Sequence, residues 1–67
     1  MQVGDLVTLS SKGWSNKGNI EVRGKMGVIL EIGGRCHYPY EIKWFNASGL
    51  EYSRGLLRMK RYEIKKV

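Results

Sequence analysis

Few side chains in this sequence are of the kinds that perform catalysis or bind metals. Cys36 and His37 are adjacent, so on an extended strand their side chains point to opposite faces. A thiolate–imidazole pair needs its atoms within about 3 Å of each other, which neighbours on a strand do not reach. Cys36 is the one cysteine of the chain, so the pair also lacks the further ligands that a zinc site requires.

The carboxylates do not form a matched acid–base pair either. Asp5 follows Gly4 at the start of a predicted strand, where turn chemistry explains it. The five glutamates are scattered along the chain, and no glycine-rich loop of the Walker type is present. We therefore predict a protein that is not an enzyme, with no catalytic residues, no metal site and no cofactor.

Positive charge is the strongest signal in the composition. The 67 residues contain 12 Lys and Arg against 6 Asp and Glu, for a net charge of +6. Most of the excess lies in residues 54–67, whereas residues 1–53 are nearly balanced. Such a segment attracts phosphate backbones, anionic surfaces or acidic protein faces. The alternative interpretation is a solvated surface that like charge keeps soluble.

Trp14 is the aromatic residue best placed to act together with these cations. It lies in a polar, glycine-broken stretch between Lys12 and Lys17. Base stacking contributes about 1–3 kcal/mol per base, and phosphate contacts supply most non-specific affinity. Two interpretations remain open: Trp14 stacks on a base, or it folds back over one end of the domain. The candidate nucleic-acid-binding residues are Lys12, Trp14, Lys17, Arg23, Lys25, Tyr38, Arg54, Arg58, Lys60 and Arg61.

Short segments of alternating polarity predict an all-β domain that occupies residues 1–67. The predicted strands are 5–9, 26–32, 38–45, 50–53 and 61–66. Strict alternation indicates a strand with one buried face, and several short strands separated by turn residues favour a small barrel or sandwich. The glycine pair at 33–34 and the "NASG" at 46–49 supply residues that tolerate positive φ at two of the reversals.

The segments between the strands are predicted less directly. The polar stretch 10–25 is expected to be an extended loop. Within 54–59 we expect a single 3₁₀ turn that carries Leu56 or Leu57 inward. A helix over 53–66 is the competing prediction, but its apolar residues do not keep a regular spacing of three and four, so they would not form one apolar face of a helix.

The stretch "YPYEIKWF" (38–45) places Tyr38, Tyr40, Ile42 and Trp44 on one face of its strand. We predict that Ile42 and Trp44 lie in the core, since a domain of this size needs a large ring to fill it. Tyr38 and Tyr40 are nearer the glycine turn and are expected at the mouth of the barrel. The other predicted core residues are Val7, Val28, Leu30, Leu57 and Ile64.

The order of these segments resembles that of SH3-like barrels of the KOW and Tudor type. The segments that carry the resemblance are "VGDLV" (3–7), "GKMGVILEI" (24–32), "YEIKW" (40–44) and "LLRMKRYEIKKV" (56–67). "GKMGVI" with "GRCHYPYEIKWF" is also similar to the variable chain of ferredoxin–thioredoxin reductase and to a peripheral photosystem I subunit that helps dock ferredoxin. Small phage-encoded SH3-like barrels contain a segment similar to "YPYEIKWF". The basic "RMKR" (58–61) departs from the reductase chain, which has acids before its last strand.

The resemblance implies an SH3-like barrel of about five antiparallel strands with a 3₁₀ turn before the last. With the charge pattern, it favours a non-catalytic binding module that contacts nucleic acid, DNA or RNA, or a nucleic-acid-bound assembly through a basic rim. The alternative is a docking or scaffold subunit, similar to the reductase variable chain, that binds an acidic protein surface. No signal peptide or membrane-spanning stretch is recognised, so we expect a cytoplasmic protein without membrane contact, as a monomer or weak homodimer.

Overall fold

The structure, a computed structural model, describes residues 1–34, 37–47 and 54–67. Its strands are β1 (Leu6–Leu9), β2 (Gly27–Ile32), β3 (Tyr40–Trp44), β4 (Leu56–Met59) and β5 (Ile64–Lys66). A short helix α1 (Ser11–Ser15) and a 3₁₀ helix (Lys17–Val22) that is kinked at Asn19 connect β1 to β2, and a 3₁₀ turn (Arg61–Glu63) precedes β5. Within the described ranges, no helix is long and apolar enough to cross a membrane.

The strands form one antiparallel sheet with the order β4-β3-β2-β1-β5. This confirms the prediction of five antiparallel strands with a 3₁₀ turn before the last. The prediction of a closed barrel is not met, because β4 and β5 stand at opposite ends of the strand order and do not pair. They are joined through the 3₁₀ turn rather than by a hairpin, which separates their edges. The predicted strand at 50–53 lies outside the described residues.

The hydrophobic core lies on one face of this sheet. Its buried residues are Val7, Leu9, Val22, Ile29, Ile42, Trp44, Met59 and Ile64. Four of them were predicted from the sequence, and Trp44, the largest, is 2% exposed. Tyr40 and Leu57 pack against the core from partly buried positions. The strand predicted at 38–45 is shorter, Tyr40–Trp44, and its buried face on Ile42 and Trp44 is confirmed.

The predicted facing of β2 is wrong. Leu30 was expected in the core but is 44% exposed, and Val28 is only half-buried, whereas Ile29 is fully buried. Two features explain the reversal. Gly27 faces the core, and a Cβ there would come within 2.7 Å of Ile42 Cγ2, so this buried position accepts only glycine. The pairing with β3 also shifts register between Ile29 and Glu31, which interrupts the alternation.

The C-terminal third contains a strand where a 3₁₀ turn was predicted. β4 pairs along its length with β3, so that Leu57 lies opposite Ile42. Gly55 does not break the strand but sits in the reversal before it, with φ +79°. The 3₁₀ turn falls later, at Arg61–Glu63, where the sequence predicted the first half of the last strand. The competing helix over 53–66 is absent from its described part, residues 54–66.

The segment between β1 and β2 is more ordered than the predicted extended loop. Polarity and glycines in 10–25 indicated irregular backbone, yet α1 and the Lys17–Val22 3₁₀ helix occupy most of it. Val22 is fully buried in the core and anchors this segment. Side-chain caps, rather than an apolar stripe, explain the helical turns.

We predict that Trp44→Ala abolishes the cooperative unfolding transition. Removal of a buried Trp costs about 3–5 kcal/mol, which matches the whole stability expected for a domain of this size. Trp44→Phe should cost only about 1 kcal/mol, because it keeps a ring and removes a buried indole N–H that has no hydrogen-bond partner among the described residues. Urea unfolding followed by circular dichroism measures both. Equal losses in the two variants would contradict this account of the core.

Candidate nucleic-acid interface

Two side-chain caps fold the segment after β1. Ser10 is the N-cap of α1: its Oγ accepts a hydrogen bond from the Gly13 N–H (3.2 Å) and donates one to the Tyr62 carbonyl. Asn16 caps the following 3₁₀ helix, with its Oδ1 accepting from the Gly18 N–H at 2.9 Å. These caps fix the helical turns locally, and the Ser10 hydroxyl also ties them to the turn before β5.

The Glu63 carboxylate joins this segment to the C-terminal turn. Glu63 is 3% exposed. Its Oε2 accepts from Asn19 Nδ2 (2.8 Å) and Asn16 Nδ2 (3.1 Å), and its Oε1 accepts from the Lys60 backbone N–H (2.9 Å). Asn19 is buried as well and also donates to the Gly13 carbonyl. Three N–H donors thus stabilise a carboxylate that burial alone would destabilise.

Gly13 allows α1 to approach this turn at backbone contact. A Cβ at position 13 would lie 2.0 Å from the Glu63 carbonyl oxygen. That oxygen also accepts from the Ser10 N–H at 2.9 Å. Any side chain larger than hydrogen would push α1 away from Glu63, so glycine is required here by space.

The resulting geometry gathers two lysines and two tyrosines, which we call the tyrosine–lysine cluster: Lys12, Tyr38, Lys60 and Tyr62. Lys60 Nζ lies 5.3 Å from the centroid of the Tyr38 ring and 5.8 Å from that of Tyr62. Lys12 Nζ, from α1, lies 5.8 Å from the Tyr62 ring. Both rings are about half exposed. The cluster is a row of cations held over accessible aromatic surface.

No acidic side chain among the described residues forms an ion pair with the lysines of this cluster. The ion pairs between described residues are Arg58–Glu41 (3.0 Å) and Lys66–Asp5 (3.8 Å). Neither includes Lys12 or Lys60. The two ammonium groups therefore remain available to an external anion.

Trp14 and Arg23 form a second pair on another side of α1. The Arg23 guanidinium carbon lies 6.0 Å from the Trp14 ring centroid, and Trp14 is 49% exposed. Lys12 and Trp14 are two residues apart on the helix, so their side chains leave it in nearly opposite directions. The sequence placed these residues on one rim, whereas the structure assigns them to two sides of α1.

Arg58 is occupied within the protein. Its guanidinium pairs with Glu41 and donates to the backbone carbonyls of Gly33, Tyr38 and Pro39 at 2.9–3.3 Å. These bonds fasten the β2–β3 connection to β4. Arg58 therefore positions Tyr38 rather than presenting its own charge.

The remaining predicted contacts are dispersed. Lys17 is exposed at the start of the 3₁₀ helix, and Arg54 is exposed in the turn before β4. Arg61 is exposed and donates to the Ile64 carbonyl. Lys25 is half-buried, and its carbonyl accepts from Thr8 Oγ1 at 3.0 Å. The structure brings none of these four into the tyrosine–lysine cluster.

Sequence reasoning missed Tyr62, Asn16, Asn19 and Glu63. Alternation in 61–66 suggested that Tyr62 faces inward with Ile64, but the 3₁₀ turn rotates it outward to 54% exposure. Beside the cluster runs an open groove of about 460 Å³. Its lining residues are Asn16, Gly18, Asn19, Tyr38, Leu57, Arg58 and Glu63. Asn16 and Asn19 line this groove, and their Asn–x–x–Asn spacing is the feature of the sequence that indicates a shared role for them.

No family model matches this chain, and neither curated proteins nor solved structures give a significant match. The described residues define a small, mostly β domain with five antiparallel strands and short helical turns. They contain no group of three or more His, Cys, Asp or Glu placed to hold a metal ion. Cys36 lies outside the described residues, and His37 is exposed.

We predict that Glu63→Gln lowers the free energy of unfolding by about 1–3 kcal/mol. A glutamine amide nitrogen cannot accept a hydrogen bond, so at least one of the three N–H donors loses its acceptor while buried. Glu31→Gln is the matched control, since Glu31 is exposed on β2. Urea midpoints measure the effect; equal midpoints for the two variants would contradict the bridging role of Glu63.

Proposed function

We propose that this protein is a non-catalytic binding module that contacts nucleic acid, or an assembly that contains nucleic acid, through its cationic and aromatic surface. The observation that carries the proposal is the tyrosine–lysine cluster, in which ammonium groups that form no ion pair with another described residue lie over exposed rings. Phosphates bind such ammonium groups, and bases stack on such rings. The net charge of +6 adds long-range attraction for a polyanion.

We also propose that the sheet is of the SH3-like type. Three features support this: the strand order β4-β3-β2-β1-β5, the long segment between β1 and β2, and the 3₁₀ turn directly before β5. Together with the KOW- and Tudor-like order of segments in the sequence, they favour a domain that presents its connections, rather than its sheet, to a partner.

Docking to an acidic protein surface is the second candidate. The observation that favours it is the open groove beside the cluster, since a protein side chain can enter a groove that Tyr38 and Leu57 line. Carboxylates on the partner would then pair with Lys12 and Lys60. Affinity capture with and without nuclease separates the candidates: a partner retained after nuclease treatment favours docking, and a partner lost favours nucleic acid.

We predict that an oligonucleotide at low salt changes the fluorescence of Trp14 in the Trp44→Phe variant, where Trp14 is the one remaining tryptophan. Stacking or a shifted Arg23 alters the surroundings of an indole that is half exposed. Single strands and duplexes should both be titrated. If neither changes the emission or the backbone chemical shifts of residues 10–25, the nucleic-acid proposal is wrong.

We predict that the double variant Lys12→Gln, Lys60→Gln binds oligonucleotides more weakly and with a shallower salt dependence. Each lost phosphate contact should reduce the slope of log affinity against log salt by about 0.7–0.9. The matched control is Lys43→Gln, Lys65→Gln, which removes the same charge from exposed strand positions away from the cluster. Equal slopes for both double variants would show that net charge, not this cluster, drives binding.

A further inference from the structure

A second groove lies where β2 begins and β3 ends, on the side of α1 that carries Trp14. It is open, has a volume of about 360 Å³ and is lined by Gly24, Lys25, Met26, Phe45 and Asn46. The Phe45 N–H donates to the Met26 carbonyl at 2.8 Å, which holds its two walls together. Gly24 and Asn46 both have positive φ, so each wall includes a tight reversal.

The groove exposes apolar surface that the core does not use. Phe45 is 40% exposed and Met26 is 43% exposed. Trp14 extends this surface, because a Cβ at Gly24 would lie 4.0 Å from Trp14 Cη2. Gly24 thus adjoins the Trp14 ring and lines the same groove as Phe45. Exposed aromatic and thioether groups at one groove form a platform for a flat ring.

The charges beside this platform are positive. Lys25 lines the groove, and the five lining residues include no acid. Arg23 lies against Trp14, and its Nε is buried with no hydrogen-bond partner among the described residues. A buried guanidinium N–H without an acceptor is unfavourable in the free protein. Arg23 is half-buried, so its positive charge lies beside the aromatic surface although its Nε itself is enclosed.

We infer that this groove binds an unpaired base of a single-stranded nucleic acid, with Phe45 as its stacking residue and Arg23 and Lys25 as its phosphate contacts. The inference rests on the proposed function and specifies the ligand. In a duplex both faces of each base are covered by neighbouring pairs, so only a single strand offers a base to Phe45. The tyrosine–lysine cluster lies across α1, and a strand that crosses this short helix contacts both surfaces.

The test is a titration with single strands of about 16 nucleotides, the upper end of the site sizes of OB folds, and with a duplex of equal length. Oligodeoxythymidylate and oligouridylate distinguish DNA from RNA as the source of the strand. We expect tighter binding of the single strands. Phe45→Ala should weaken their binding about 5- to 150-fold, the range of one lost stacking contact, and should leave duplex binding unchanged.

Two further variants control this measurement. Phe45→Trp should retain single-strand binding, because it keeps a stacking ring. Leu30→Ala should change nothing, since Leu30 is an equally exposed apolar residue on β2 outside the groove. If Phe45→Ala does not fold, the Phe45 ring resonances of the unaltered chain decide instead, and they should shift on addition of the single strand.

The outcomes separate the two proposals. Duplex binding as tight as single-strand binding, or single-strand binding that Phe45→Ala leaves unchanged, overturns the base-binding groove. The proposed function stands in that case, provided that Lys12→Gln, Lys60→Gln still weakens binding. Absence of binding to every oligonucleotide overturns the proposed function itself, and with it this inference.

Discussion

The buried carboxylate of Glu63 is the constraint on which the binding surface depends. It is almost inaccessible to water and accepts hydrogen bonds from Asn16, Asn19 and the Lys60 backbone. A buried anion without these donors would be strongly unfavourable. The buried Glu63 carboxylate therefore requires the segment after β1 and the turn before β5 to fold together, because each of them supplies part of its hydrogen-bond donors.

This coupling explains how a chain with a small core builds a defined surface from polar connections. Lys12 reaches the Tyr62 ring only because α1 contacts the turn that carries Tyr62. Lys60 belongs to the same turn and lies over both rings. Arg58 completes the arrangement from β4, since it holds the carbonyl of Tyr38. Hydrogen bonds thus hold the residues of the tyrosine–lysine cluster in place, whereas packing of the hydrophobic core holds the strands of the sheet together.

The alternation of polar and apolar residues predicted a strand and its buried face correctly in β3. It did not predict features that depend on close backbone packing or on the type of turn. Ile42 and Trp44 were predicted in the core because large apolar residues alternate with polar ones in β3. The facing of β2 could not be predicted in this way, since Gly27 and a register shift, not side-chain polarity, select its buried face. Tyr62 was missed for a similar reason, because a 3₁₀ turn and an alternating strand are indistinguishable over three residues. The charge pattern identified lysines and arginines as candidates, but it did not show that Lys12 and Lys60 are the two that lie together in the folded domain.

The contact between Gly13 and Glu63 belongs to a set of contacts that has a regular spacing in the sequence. Ser10, Gly13, Asn16 and Asn19 recur at intervals of three, and each of the four makes or permits a contact with the turn before β5. A distant relative that shares this architecture can diverge throughout its strands and still retain S-x-x-G-x-x-N-x-x-N together with a glutamate directly before its final strand. We expect this spaced string to tolerate substitution less than the strands do, because steric and solvation requirements restrict each of its positions.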